Sequence, residues 1–285
     1  IDRSLVGSEM CIRDRPKPQP YENYIDWLQK QDEDKARSYW RDLLAEVDEP
    51  THIDIQPLTN DQSQSEPLGA RIQQLSLSPE MTAQLESSAK QHQVTLNTLV
   101  QAAWAYLLHR YSGEQQVIFG ETVAGRPPEL KGVEEMVGLF INSLPVPVSI
   151  DPEQEIGNWL KTLHENSIDR NEYGFLSLSE IQNLSALASS SSSERNLFDS
   201  LVVFENYPVD QEIQKIIEGS GLSVAGIHNE EQTNYALTLM VLPERTNGNN
   251  EEQTGKLGFE LGYRAERYDE NTITRMLSHL EEVLT

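Results

Sequence analysis

Residues Val117–Val148 read VIFGETVAGRPPELKGVEEMVGLFINSLPVPV, and this stretch decides how the chain is organised. Both ends are apolar runs rich in Val, Ile and Phe, which read as strands buried on a sheet. Between them lie a Gly-Arg-Pro-Pro loop and a short helical piece around Val133–Val137. Gly120, Gly125, Gly132 and Gly138 punctuate the segment, as expected where the backbone turns sharply or another group approaches closely. Read alone, the stretch predicts two buried strands joined by a long loop.

Working outward, Tyr21–Gln31 and Asp32–Val47 read as helices with Trp27, Leu28, Trp40, Leu43 and Leu44 facing inward. Glu49–Leu68 is rich in Pro, Asp and Gln and reads as a loop, and Arg71–Leu77 alternates as a strand. Ser78 followed by Pro79 has the form of an N-cap and first helical position, opening a helix to about His92. Thr95–Tyr111 predicts an amphipathic helix, since Leu96, Leu99, Val100, Ala103, Trp104 and Leu107 recur at three- and four-residue steps. Gly113 stops it.

On the C-terminal side, Asp151-Pro152-Glu153-Gln154 has the form of a capping box starting a helix through Trp159 and Leu163, and Ser177 with Glu180 makes another. Ala188–Ser193 is a Ser-rich loop. Leu201–Phe204, Leu222–Ile227, Tyr235–Leu242 and Lys256–Tyr263 read as strands, with Thr246–Gly255 as a hairpin tip. Asp269 caps a last helix, Ile273–Leu284. Helices first and then a run of strands imply a mixed α/β fold, an α+β sandwich with helices packed on one face of a mixed sheet.

Composition narrows the function classes. A chain of 285 residues forms one large domain or two small ones, and its apolar fraction of 37% is enough for a core. No run approaches the roughly 20 apolar residues needed to span a bilayer, and no signal peptide is visible. The formal net charge of −24 argues against nucleic acid, whose phosphates need clustered Lys and Arg, and against an anionic membrane surface. Such acidity fits a solvated surface and a salt-tolerant source equally well.

The first fifteen residues, IDRSLVGSEMCIRDR, have no hydrophobic period and no cap pattern. They read as a sequencing-adaptor artefact or a disordered tail, leaving 16–285 as the folded unit. Cys11, the only cysteine, lies inside them, so the remainder has no disulfide, thiolate nucleophile or Cys-based metal site, which suits a cytoplasmic protein.

Other chemistry finds little support. Gly219-Ser220-Gly221 with Gly226 lacks the spacing and the preceding strand of a dinucleotide fingerprint and fits a helix C-terminus. There is no Gly-x-Ser-x-Gly elbow and no His-Glu-x-x-His site. The adjacent acidic pairs Glu134-Glu135, Glu230-Glu231, Glu251-Glu252 and Glu281-Glu282 do not share a face and read as solvated surface.

The opening block is similar to the Gly-x-x-Val-x-Gly-Arg…Ile-Gly-x-Phe-Val-Asn-Thr stretch of the condensation domains of nonribosomal peptide synthetases. Tyr21–Trp27 (YENYIDW), followed by Tyr39-Trp40 and Leu43-Leu44, resembles that family's Tyr-x-Asp-Tyr-x-x-Trp…Tyr-Trp-x-x-x-Leu segment. Ser193–Pro208 (SERNLFDSLVVFENYP) resembles its Ser-Arg-Asn-Pro-Leu-Phe…Leu-Gln-Asn segment, and Asn171–Ile181 (NEYGFLSLSEI) loosely matches His-Gln-x-x-Pro-Phe-x-x-Leu. Tyr173-Gly174-Phe175 and Ser143 depart from the family pattern, which bears on substrate detail more than on class.

The family's catalytic His-His-x-x-x-Asp-Gly is absent: His52, His92, His109, His164, His228 and His279 are scattered, with no His-His pair. The resemblance therefore implies the C-terminal lobe of such a domain, of chloramphenicol-acetyltransferase-like fold. It implies inactivity alone and an exposed apolar face where the missing N-terminal lobe packs. The complete domain forms an amide between donor and acceptor thioesters carried on phosphopantetheine arms of peptidyl carrier proteins, with an adenylation domain in the same synthetase and no cofactor bound directly.

By position in the motifs, the resemblance places Asn206, Tyr207, Asn142, Ser143 and Arg195 along the substrate tunnel, with Asn206 able to donate to a thioester carbonyl or oxyanion. Each also has a purely structural reading, as does Arg126 in its loop. Carrier proteins of the family tend to be acidic, so Lys256, Arg264, Arg267 and Arg275 are candidates for a basic docking face. Two other readings stay open: a fragment of a coenzyme A-dependent acyltransferase of the same superfamily, and a non-catalytic interaction or scaffold domain.

Overall fold

The computed structural model describes residues 18–54, 69–189, 196–205, 233–244 and 255–285. The predicted strand Leu222–Ile227, most of the 246–255 hairpin tip, the loop beyond residue 54 and residues 1–15 lie outside them.

Two short helices come first, α1 (Glu22–Leu28) and α2 (Glu33–Leu43), the second capped by the Asp32 carboxylate accepting from the Lys35 amide. Then follow β1 (Ala70–Ser76), α3 (Pro79–His92), α4 (Leu96–Ser112), β2 (Gln116–Val123), β3 (Asn142–Ser149), α5 (Ile156–Glu172) and α6 (Leu178–Leu184). The chain closes with β4 (Ser200–Phe204), β5 (Leu237–Glu244), β6 (Lys256–Arg264) and α7 (Glu270–Leu284). The caps read from the sequence do their work: Ser78, Ser177 and Asp269 each accept from a backbone amide three residues on, with Pro79 at the first position of α3. Gly113 ends α4 in the left-handed conformation.

One expected start is displaced. Asp151–Gln154 is a turn in which the Asp151 carboxylate accepts from the Glu153 amide, and its carbonyl from Gln154. An acidic residue before Pro closes on its own backbone as readily as it caps a helix. Helix α5 accordingly begins at Ile156, with Glu155 as a cap whose carboxylate accepts from the Asn158 side chain at 3.3 Å and from no backbone amide of the first turn.

The six described strands form one mixed sheet in the order β1-β6-β5-β4-β2-β3. β2 pairs parallel with β4 and β4 with β5, whereas β1–β6, β5–β6 and β2–β3 are antiparallel. Strands β1, β2, β4 and β5 therefore finish at one end of the sheet, the finishing end, where β3 and β6 begin. The opposite end is the starting end.

Side chains alternate across a strand, and the core follows that alternation. Val117 and Phe119 of β2, Val202 of β4, Leu239 and Val241 of β5, and Phe259 and Leu261 of β6 share one core with α3, α4, α5 and α7. The sheet is thus covered on one face by the four long helices, as expected. The other face is not bare: Ile118 and Leu201 point into a second core made with Trp40 and Leu44, at the end of α2, and with Ile181 of α6.

Helix α4 is covered on more sides than an amphipathic pattern implies, because Thr98–Ala105 are all buried. It lies between α3, α5, α7 and the sheet, and a helix apolar nearly all round is a central one.

Candidate functional site

The loop between β2 and β3 is shaped by a third, small core. Tyr24 of α1, Val133, Met136 and Phe140 bury one another, with Tyr21, Trp27 and Leu130 packed around them. The Tyr21 hydroxyl donates to the Leu139 carbonyl at 2.6 Å, and its ring meets Phe140 edge-on at 5.2 Å. Gly138 has no room for a side chain, since a Cβ there would run into the Tyr21 ring. Met136 and Phe140 are 2% and 5% exposed, whereas Val137, Leu139 and Ile141 are 80%, 77% and 55% exposed. Three large apolar side chains thus stand in solvent at alternate positions, directly before β3 and beside the finishing end of β2. Scattered single apolar residues on a surface are ordinary; three within five residues point to a partner.

Asn142 follows the row. Its amide nitrogen donates to the carbonyls of Gly174 (2.9 Å) and Leu176 (2.7 Å), and its oxygen accepts from the Ser143 amide at 2.9 Å. The side chain is engaged with backbone on every polar atom and ties the start of β3 to the turn between α5 and α6. That turn is further held by Trp40, fully buried, whose indole nitrogen donates to the Tyr173 carbonyl at 2.9 Å. Ser143 pairs with Thr122 across the hairpin.

Sequence reasoning did not single out a buried charge at this end. Glu121 of β2 and Arg170 of α5 are 3% and 1% exposed and form an ion pair at 3.1 Å. Gln101 of α4 bridges them, donating to Glu121 and accepting from Arg170. A charge out of water is tolerable only when paired and hydrogen-bonded, and this one is. Burial pushes the neighbouring Tyr39 phenol up to about 12. The available signal was Glu121 itself, a lone acid inside an apolar strand.

A cavity of about 520 Å3 opens at the same end of the sheet. Leu96, Ile168, Phe204, Pro243 and Leu257 contribute apolar lining, and Thr95, Asn97 and His164 are among the polar groups. His164 shares a hydrogen bond with the Thr98 hydroxyl at 3.2 Å. No group of three or more potential metal ligands occurs among the described residues.

The four cations named as a docking face do not form one patch. Lys256 starts β6 at the finishing end, and Arg264 ends the same strand eight residues later, roughly 26 Å away at the rise of a strand. Arg264 donates to the Asn234 carbonyl at 3.0 Å, and Arg267 is ion-paired with Asp199, which His52 also approaches at 3.2 Å. Arg275 lies on α7 beside Tyr111, whose phenol is raised by burial. Asn206, Tyr207 and Arg195 fall outside the described residues.

Comparison with known proteins agrees with the sequence motifs. The family model described as condensation domain matches residues 8–285. A linear gramicidin synthase of Brevibacillus parabrevis is 38% identical over 273 residues, covering 93% of this chain and 5% of that protein. Among solved structures, a four-domain nonribosomal peptide synthetase bound to AMP and glycine superposes with a TM-score of 0.68 at 18% identity, over 90% of this chain and 19% of that one. The X-domain from teicoplanin biosynthesis gives 0.67 at 20% identity, over 92% of this chain and 56% of that one. The chain thus spans a twentieth of the curated relative and little more than half of a domain-length one. No helix among the described residues is long and apolar enough to cross a membrane. With the motifs in order, the mixed sheet in place and the family model matched along nearly its whole length, the chain belongs to the condensation domain family of nonribosomal peptide synthetases.

Proposed function

We propose that residues 16–285 act as the C-terminal lobe of a condensation domain and work with a second lobe that carries the His-His-x-x-x-Asp-Gly motif. Condensation domains join two carrier-bound substrates through a peptide bond. The observation that carries the reading is the exposed row Val137, Leu139 and Ile141, set beside the finishing end of the sheet in a chain that spans 56% of a domain-length relative. Burying that row against the second lobe removes from water three side chains, each contributing on the order of 1.5–3 kcal/mol when fully covered.

In the reaction, the acceptor amine nitrogen attacks the carbonyl carbon of the donor thioester. The new C–N bond forms, the C–S bond breaks, and the donor phosphopantetheine leaves as the thiol. The second His of the other lobe assists the proton transfer or positions the amine, and the amine proton ends on the departing sulfur. This lobe supplies the facing wall of the tunnel. Asn142 and Ser143 shape that wall through the turn that Asn142 holds, and Asn206, Tyr207 and Arg195 line it by their positions in the family motifs. The lobe binds no cofactor of its own, and the assembly works in the cytoplasm with carrier and adenylation domains. For an acidic carrier, Arg264, Arg267 and Arg275 offer a docking group at the starting end, separate from Lys256. Neutralising those three weakens carrier binding; unchanged binding overturns this part.

The test mixes the chain with a separately produced His-His-x-x-x-Asp-Gly lobe and two loaded carriers. Amide product is expected only with both lobes present. Product from this chain alone, or transfer to free coenzyme A instead of the acceptor amine, contradicts the reading.

A further inference from the structure

Besides Tyr21 and Tyr24, one cationic side chain from the same loop braces the apolar row. Arg126 leaves the end of β2 and reaches across the loop, donating from one guanidinium nitrogen to the carbonyls of Val133 and Met136, the latter at 3.2 Å. Its guanidinium carbon lies 4.0 Å from the centre of the Phe140 ring. The residue before it, Gly125, adopts φ +59°, and a Cβ there would collide with the Phe140 carbonyl oxygen. Gly125 thus admits the returning strand, and Arg126 fastens it just before the row, at Met136, and within it, at Phe140 between Leu139 and Ile141.

We propose that Arg126 is a positioning residue that presets the Val137–Leu139–Ile141 edge for the second lobe. The proposal rests on the two-lobe reading above and adds to it how the edge is made ready. A planar cation suits the task because it hydrogen-bonds in its plane and stacks through its face. With Met136 and Phe140 turned inward, the intervening side chains have only solvent to face. An edge ordered before the encounter spares association the cost of ordering it. A lysine cannot replace the guanidinium, since an ammonium on a flexible stem does not stack and bridge at once.

Hydrogen exchange on the chain alone is the direct test, with Arg126→Ala and Arg126→Lys beside the unchanged protein. Amides of residues 134–141 exchange at least about tenfold faster in both variants, while β5 and β6 exchange as before and the thermal midpoint stays in place. Exchange unchanged at 134–141 overturns the proposal. So does an increase shared by the whole sheet together with a lowered midpoint, which marks Arg126 as general scaffold. Binding to the separate lobe sorts this idea from the one beneath it. If the unchanged chain fails to bind, the two-lobe reading fails, whatever exchange shows. If it binds and both variants bind equally well, presetting by Arg126 fails and the two-lobe reading stands.

Discussion

The two ends of the sheet are built from the same strands and finished in opposite ways. At the starting end, polar groups close on one another: Asp199 with Arg267 and His52, Arg264 with the Asn234 carbonyl, and the Tyr268 hydroxyl with the Ile53 carbonyl at 3.1 Å. At the finishing end, the polar groups also find partners, through Asn142 and Arg126, yet a row of apolar side chains stays in water. A loop whose backbone is tied down by hydrogen bonds while its apolar side chains lack contacts is stable without its partner and sticky toward it. That combination suits a lobe that must fold first and dock second.

Substitutions sharpen the contrast, beginning with the buried pair beneath the finishing end. Arg170→Met leaves the Glu121 carboxylate buried and unpaired, and a loss of about 3–5 kcal/mol is expected in urea unfolding. Adding Glu121→Leu recovers much of it, because the double replacement removes the stranded charge. A single variant as stable as the parent contradicts the burial described here.

Neighbouring residues of the row come next. Phe140→Ala opens a hole in the small third core and costs on the order of 3 kcal/mol. Leu139→Ser, one position away and facing water, stays within about 0.5 kcal/mol and abolishes docking of the second lobe. Equal costs at the two positions remove the basis for calling the row an interface.

At the starting end, Asp199→Asn weakens a partly exposed ion pair and shifts stability by less than about 1 kcal/mol. A loss comparable to that of Arg170→Met reverses the ranking of the two ends.

A pH dependence is confined to alkaline solution. Tyr39 is neutral in the fold, its phenol pushed up to about 12 chiefly by burial from an ordinary 10.0. Below pH 10 both folded and unfolded chains keep the proton, and stability is full. From about pH 10 upward the unfolded chain loses it first, so stability falls as pH rises toward 12. Tyr39→Phe flattens that fall in unfolding measured between these limits; an unchanged slope excludes Tyr39 as its source.

Much of this was legible in the sequence, because each signal is local. Ser78-Pro79, Ser177 with Glu180, and Asp269 start helices by bonding their own backbone, and the apolar runs 117–123 and 142–149 read as buried strands. The motif order supplied the family. What stayed hidden depends on contacts across the chain. That Leu139 faces water while Phe140 does not depends on Tyr21 and Tyr24, more than a hundred residues earlier, together with Arg126. The alternation of that row looks in sequence like any half-buried strand. Glu121 announces itself as odd, but its partner Arg170 sits on an outwardly polar helix and nothing local links the two. Asp151–Gln154 failed for the opposite reason: a pattern sufficient for a cap is also sufficient for a turn. Of the four cations named together, Lys256 lies at the opposite end of β6 from Arg264, a separation that charge alone does not reveal.

Hydrogen exchange of this chain with and without a separately produced His-His-x-x-x-Asp-Gly lobe tests the central claim most directly. Protection is expected to concentrate in residues 136–142 at the finishing end, with the turn through Arg264–Tyr268 unchanged. Protection confined to that turn, with 136–142 exchanging as freely as before, contradicts that claim.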